Sequence, residues 1–121
     1  VQSDDKVLIG GRAYINENYD SKGLIRLNND GSIDSAYNSN PPNIYVTAMT
    51  QYTDDKIIIA GNSNVYRLNT NGTSDSSFSS TSINNNVECI KLDAEGKIYI
   101  GGRFTRVNGT SNNKIARLRF V

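Results

Sequence analysis

Apolar residues in this chain gather in short runs that end in glycine or glycine pairs: VLIGG at residues 7–11, IIIAG at 57–61 and IYIGG at 98–102. Each run is rich in β-branched residues and opens after an acidic, lysine-containing turn, a strand signature. Strict alternation is missing. A run that is apolar on both faces predicts a strand packed on both sides. Residues 46–52 and 87–93 supply further strands ahead of the second and third runs, joined to them by tight turns at TDDK and AEGK. LIRLN, VYRLN and IARLR carry another strand apiece, the first two followed by the turns NDGS and TNGT. IDSAY and SDSSF are then read as a short fourth strand closed by an aromatic residue. No segment has helical periodicity.

The runs belong to a repeat. Lys6, Lys56 and Lys97 mark one landmark, and Arg26, Arg67 and Arg117 a second. Each arginine is followed 30 residues later by the next lysine, whereas lysine to arginine is 20, then 11, then 20 residues. The unit is therefore about 41 residues with a nine-residue expansion in the first and third copies, a period typical of solenoids, propellers and arrays. Units fall at 1–43 (partial), 44–84 and 85–121 (partial) in a single segment, 1–121. Four antiparallel strands per unit, buried on both faces, predict an all-β fold of about two and a half β-propeller blades. A β-solenoid is the rival, but its coils need fewer residues. Two and a half blades cannot close a ring, so other blades of the same parent or sister chains are expected as partners. The absence of a starting Met suggests a fragment or a processed chain.

Charge narrows the chemistry. With 13 Lys and Arg against 12 Asp and Glu, net charge +1 and no like-charge run, capture of nucleic acid is not expected. No apolar stretch is long enough to span a bilayer, and no signal peptide is visible. The chain has no histidine, which removes the commonest proton-transfer and metal-binding side chain. Its single cysteine, Cys89, cannot form a disulfide within the chain and is expected in the core, where it aligns with Ala48.

The remaining polar motifs favour structural roles. Residues 28–34, NNDGSID, invite a calcium reading, but the ligand spacing disagrees and an Asx turn explains the loop. Arg26 with Asp34, and Arg67 with Asp75, recur eight residues apart and are read, with Arg117, as structural ties that each unit requires. Asn71 and Asn108 open NGT, a glycosylation pattern that is also an Asn-Gly turn. Asp54 and Asp55 sit in a recurring turn and make poor catalytic acids. No catalytic residue, metal or cofactor is expected.

The pattern also resembles a known family. Asp4, Lys6, Gly10, Gly11, Arg26, Leu27, Asp30, Gly31, Asp34 and Tyr37 follow the delta-60 repeat, while the second copy departs at Asp55, Ala60 and Asn71. That resemblance implies a propeller of bacterial surface or phage-associated proteins, in scaffold and interaction roles. The expected function is a non-catalytic structural and interaction module of a cell-surface or phage-particle protein, extracellular or on a virion; the alternative is a glycan-active enzyme or lectin-like propeller. Binding of a protein or glycan is assigned to the long connections, through Tyr14, Asn16, Asn18, Tyr19, Phe104, Arg106 and Asn108, on loops expected to be removable at little cost to stability.

Overall fold

The structure, a computed structural model, describes residues 1–14, 21–37, 45–61, 63–78 and 81–118. Eleven strands, all paired antiparallel, make three successive repeat sheets and a small hairpin among the described residues. β1 (Val7–Tyr14) pairs with β2 (Ser21–Leu27). In the second unit β3 (Ala48–Gln51), β4 (Ile57–Ala60), β5 (Asn64–Leu68) and β6 (Thr81–Ser82) form a sheet in chain order. In the third, β7 (Val87–Leu92) and β8 (Ile98–Gly102) lie beside β11 (Ile115–Leu118), while β9 (Arg106–Val107) and β10 (Thr110–Ser111) fold aside as the hairpin. These are blades of a β-propeller.

The non-alternating runs are explained by β4, which is buried along its whole length. Ile57 and Ile59 point into one apolar cluster with Leu8, Leu24 and Tyr37 of the first unit. Ile58 and Ala60 point the other way, joining Ile90, Ile98 and Ile100 of the third. Sheet packs on sheet on both sides, and each fully buried Ile contributes roughly 1.5–3 kcal/mol as an upper estimate. Thr47 Oγ1 donates to the Val87 carbonyl, and Val87 N–H donates to the Gly61 carbonyl, tying the units together where β3 lies against β7.

Glycine and aspartate set the turns. Asp5 (φ 63°), Asp54 (59°) and Asp55 (58°) take left-handed conformations ahead of β1 and β4, where Gly96 (80°) serves the third unit. The aspartates tolerate the left-handed geometry, so losing the turn glycine in the second copy leaves the hairpin intact.

Two sequence expectations change. The segments IDSAY and SDSSF are turns touching the sheet by single bridges, Leu27 to Ile33 and Leu68 to Ser74. Their Asp side chains bond local N–H groups and draw the backbone out of the ladder. The fourth strand of the second unit is instead Thr81–Ser82. Cys89 is exposed. It pairs with Gly101 as Ala48 pairs with Ala60, but Ala48 packs against the following sheet, and no sheet follows the third among the described residues.

Candidate functional site

Among the described residues, polar side chains collect in two kinds of place, of which one repeats. The repeating one is a three-residue ion cluster. Asp34 Oδ2 accepts from Lys6 Nζ at 2.8 Å and from Arg26 Nε at 3.0 Å. Asp75 Oδ2 accepts from Lys56 Nζ and Arg67 Nε, both at 2.8 Å. Each aspartate N–H donates to the carbonyl of its arginine, and each second carboxylate oxygen accepts from the N–H two residues on. Arg26 also lies over the Tyr37 ring, 4.2 Å from its centroid, and Arg67 over Phe78 at 5.2 Å. Hydrogen bonds from Lys56 and then Ser77 hold the Asp75 carboxyl well below the ordinary carboxylate range. Lys6 does the same for Asp34, against an opposing effect of burial. The ion pairs stay within their own unit and join strand, turn and aromatic anchor, while Arg26 also donates to the Thr70 carbonyl of the second unit at 3.0 Å.

The lysine was missed as a member, although its recurrence before each inner strand was the signal. Arg117 differs from its two counterparts: it is exposed and has no ion pair among the described residues.

The other place is the hairpin β9–β10, which occupies the nine-residue expansion of the third copy. Asn108 (φ 49°) and Gly109 (φ 78°) both have positive φ, the geometry of a two-residue Asn-Gly hairpin turn. Asn84 clamps its root: Oδ1 accepts from Thr105 and Arg106 N–H at 2.9 Å each, and Nδ2 donates to Thr105 Oγ1 at 2.8 Å. Asn108 N–H donates to the Ser82 carbonyl at 2.8 Å, and its Oδ1 accepts from Ser82 N–H at 2.8 Å. Val107 bridges Ile83. The connection is thus fastened along β6, and it exposes Arg106, Thr110 and Ser111. A cavity of about 570 Å³ opens beside it, lined by Thr81, Val107, Asn108, Thr110, Asn112, Arg117 and Leu118.

The expected binding residues divide on this geometry. Arg106 is exposed at the hairpin, and Asn108 is exposed with its side chain engaged by Ser82. Phe104 is 0 % exposed and belongs to the core between the second and third units, so it anchors the connection and offers no contact surface. Val107 is buried with it, which also corrects the expectation that this loop can be trimmed without cost. Tyr14 ends β1 opposite Ser21, so the first copy's expansion extends the ladder past a bulge near Gly11. Asn16, Asn18 and Tyr19 lie outside the described residues. Asn84, the clamp, was not singled out from the sequence; its triple-Asn setting at 84–86 is unique to one junction.

The turns once considered for other chemistry are locally satisfied. Asp30 accepts from Ser32 N–H and Oγ, and Asn71 accepts from Thr73 N–H and Oγ1, as Asx turns do.

Residues 2–37, 53–78 and 94–119 match a family described as a domain of unknown function (DUF5122) beta-propeller. No curated protein matches the chain.

Proposed function

This chain belongs to the DUF5122 beta-propeller family, and we propose that it works as a non-catalytic interaction module whose contact surface is the non-repeating rim. The observation that carries this reading is the contrast between the two kinds of polar site. In the first two units the repeated charges are consumed by structural ties, whereas Arg106, Thr110 and Ser111 stand exposed on a hairpin made rigid by Asn84, Phe104 and Val107. A preorganised loop on a rigid scaffold loses little entropy on binding. Arginine with hydroxyl and amide groups suits polar recognition, of a glycan or of a polar protein surface.

The finer reading is part of the same proposal: a delta-60 type repeat, placed on a cell surface or phage particle and acting outside the cell. The resemblance of the repeated residues to that family supports it.

The test is retention on a panel of bacterial and host surface glycans and proteins, comparing the parent with Arg106→Ala/Thr110→Ala/Ser111→Ala. Retention of the parent on a subset, lost in the variant at unchanged melting temperature, is the expected result. Turnover of a bound glycan, abolished by one acid substitution, would replace this reading with an enzymatic one. Retention indifferent to the substitutions would move the site off the hairpin.

A further inference from the structure

The two edges of the second and third sheets differ in charge. The edge where β4 and β8 begin carries Asp54, Asp55, Asp75, Asp93 and Glu95, set in turns beside Lys56, Arg67 and Lys97. At the opposite edge, where Ala60 pairs with Val65 and Val87 with Gly102, stand Arg103, Arg106 and Lys114. Against them, among the described residues, is one carboxylate, Glu88, which is spent on Arg103 at 3.0 Å. Residues 103–114 contain no acid at all.

The hydrogen bonds of the hairpin are equally one-sided. The amide oxygens of Asn84 and Asn108 and the hydroxyl oxygen of Thr105 all accept from protein donors. The Arg106 guanidinium, the Lys114 ammonium, Asn108 Nδ2 and the Ser111 hydroxyl meet no protein acceptor among the described residues, and all four residues are exposed. Arg106 pairs with Ser111 and Val107 with Thr110. Val107 faces the core, so the alternation of the ribbon turns Arg106 and Ser111 outward together. Asn112 N–H donates to the Thr105 carbonyl and Lys114 N–H to the Phe104 carbonyl, both at 2.9 Å, which sets Lys114 at the root of the same hairpin. Phe104 is buried, and no large apolar residue of this connection is exposed. The outward face is an array of donors without an apolar anchor.

We propose, on the reading of the hairpin as the contact surface given above, that its ligand is an acidic glycan, held through carboxylate or sulfate oxygens by the Arg106 guanidinium and the Ser111 hydroxyl. Asn108 Nδ2 and Lys114 add donors for neighbouring groups of the sugar chain. The guanidinium fork matches a planar carboxylate or two oxygens of a sulfate. A protein partner would draw its affinity from buried aromatic or aliphatic anchors, and a single-stranded nucleic acid from stacking on exposed aromatic rings; this face offers neither. The carboxylates gathered at the far edge leave the rim free to attract anions.

The probes are polygalacturonate with its carboxyl-reduced form, dextran sulfate with plain dextran, and a short DNA duplex, each titrated calorimetrically into the chain. At least one acidic polymer should bind about tenfold or more tightly than its neutral counterpart and than the duplex, and which one binds distinguishes carboxylate from sulfate. Arg106→Ala should weaken that binding by about tenfold at unchanged melting temperature, with Arg106→Lys intermediate. Neutral polymer bound as tightly as acidic, and lost in Arg106→Ala/Thr110→Ala/Ser111→Ala, would overturn the acidic ligand while keeping the hairpin as the contact surface. Acidic polymer bound equally by the parent and Arg106→Ala would overturn both. Equal affinity for the duplex, or no binding of either acidic polymer, would overturn the glycan assignment.

Discussion

Tyr37 and Phe78 hold equivalent places under their arginines and differ by one oxygen. The Tyr37 hydroxyl is buried with no hydrogen-bond partner among the described residues, and burial pushes its pKa up to about 12, against the pull of Arg26. Tyr37→Phe should raise unfolding free energy by about 1 kcal/mol, because an unsatisfied polar group is removed without changing ring volume; urea melts of the two proteins measure it. The same burial sets the alkaline limb. The unfolded chain ionises this tyrosine near 10, while the folded chain holds the proton to about 12, so stability contributed here is intact below pH 10 and lost as pH rises through that window. Tyr37→Phe should flatten this part of the pH–stability curve. On the acid side the sign reverses. Asp75 has a folded-state pKa below its ordinary value of 3.8, so its contribution is complete above that value and is lost as pH falls through the depressed one; Asp75→Asn should lose most of that acid dependence. The eight-residue spacing of Arg67 and Asp75 is visible in the sequence. The burial that makes the pairing matter, and the Tyr37 hydroxyl's isolation, depend on neighbouring sheets that no single segment encodes.

At the level of elements, Gly102 and Phe104 show why the third copy's expansion has a definite shape. A Cβ on Gly102 would lie 2.1 Å from the Asn86 carbonyl oxygen, at the bulge where β7 shifts register between Val87 and Cys89. Gly102→Ala must displace backbone, and a loss of about 2 kcal/mol is expected by thermal or urea melting. Phe104→Ala should cost about 3–5 kcal/mol by emptying a fully buried site, whereas Arg106→Ala should stay within about 0.5 kcal/mol. Unfolding free energies of the pair distinguish an anchored connection from a loose one. The inner strands were legible because their runs are apolar on both faces. The expansion was not, because an aromatic residue in a polar segment is equally consistent with a contact and an anchor, and only the Asn84 clamp decides which. IDSAY and SDSSF misled for a related reason: an aromatic end suggests a strand, but Asp and Ser bond their own backbone and make a turn.

Across the whole molecule, equivalent residues meet different environments according to which sheet lies beside them. Ile58 is 0 % exposed between two units, and Ile58→Asp should abolish cooperative unfolding, since the charge would have no partner there. Ala48 and Cys89 share a register but not a neighbour, which is why alignment alone misplaced the cysteine. The repeat period gave the blade architecture; the state of each blade face is a property of the assembled stack. On this account the recurrent charges of the first two units are structural ties, and the non-repeating hairpin is the proposed contact surface. The most direct test of that division is a double-mutant cycle on Arg67 and Asp75, with Lys56 retained, measured by urea unfolding. A coupling of at least about 1.5 kcal/mol, above the range of exposed pairs, is predicted; a coupling within about 0.5 kcal/mol of zero would contradict the structural role and return the recurrent arginines to the surface as candidates for binding.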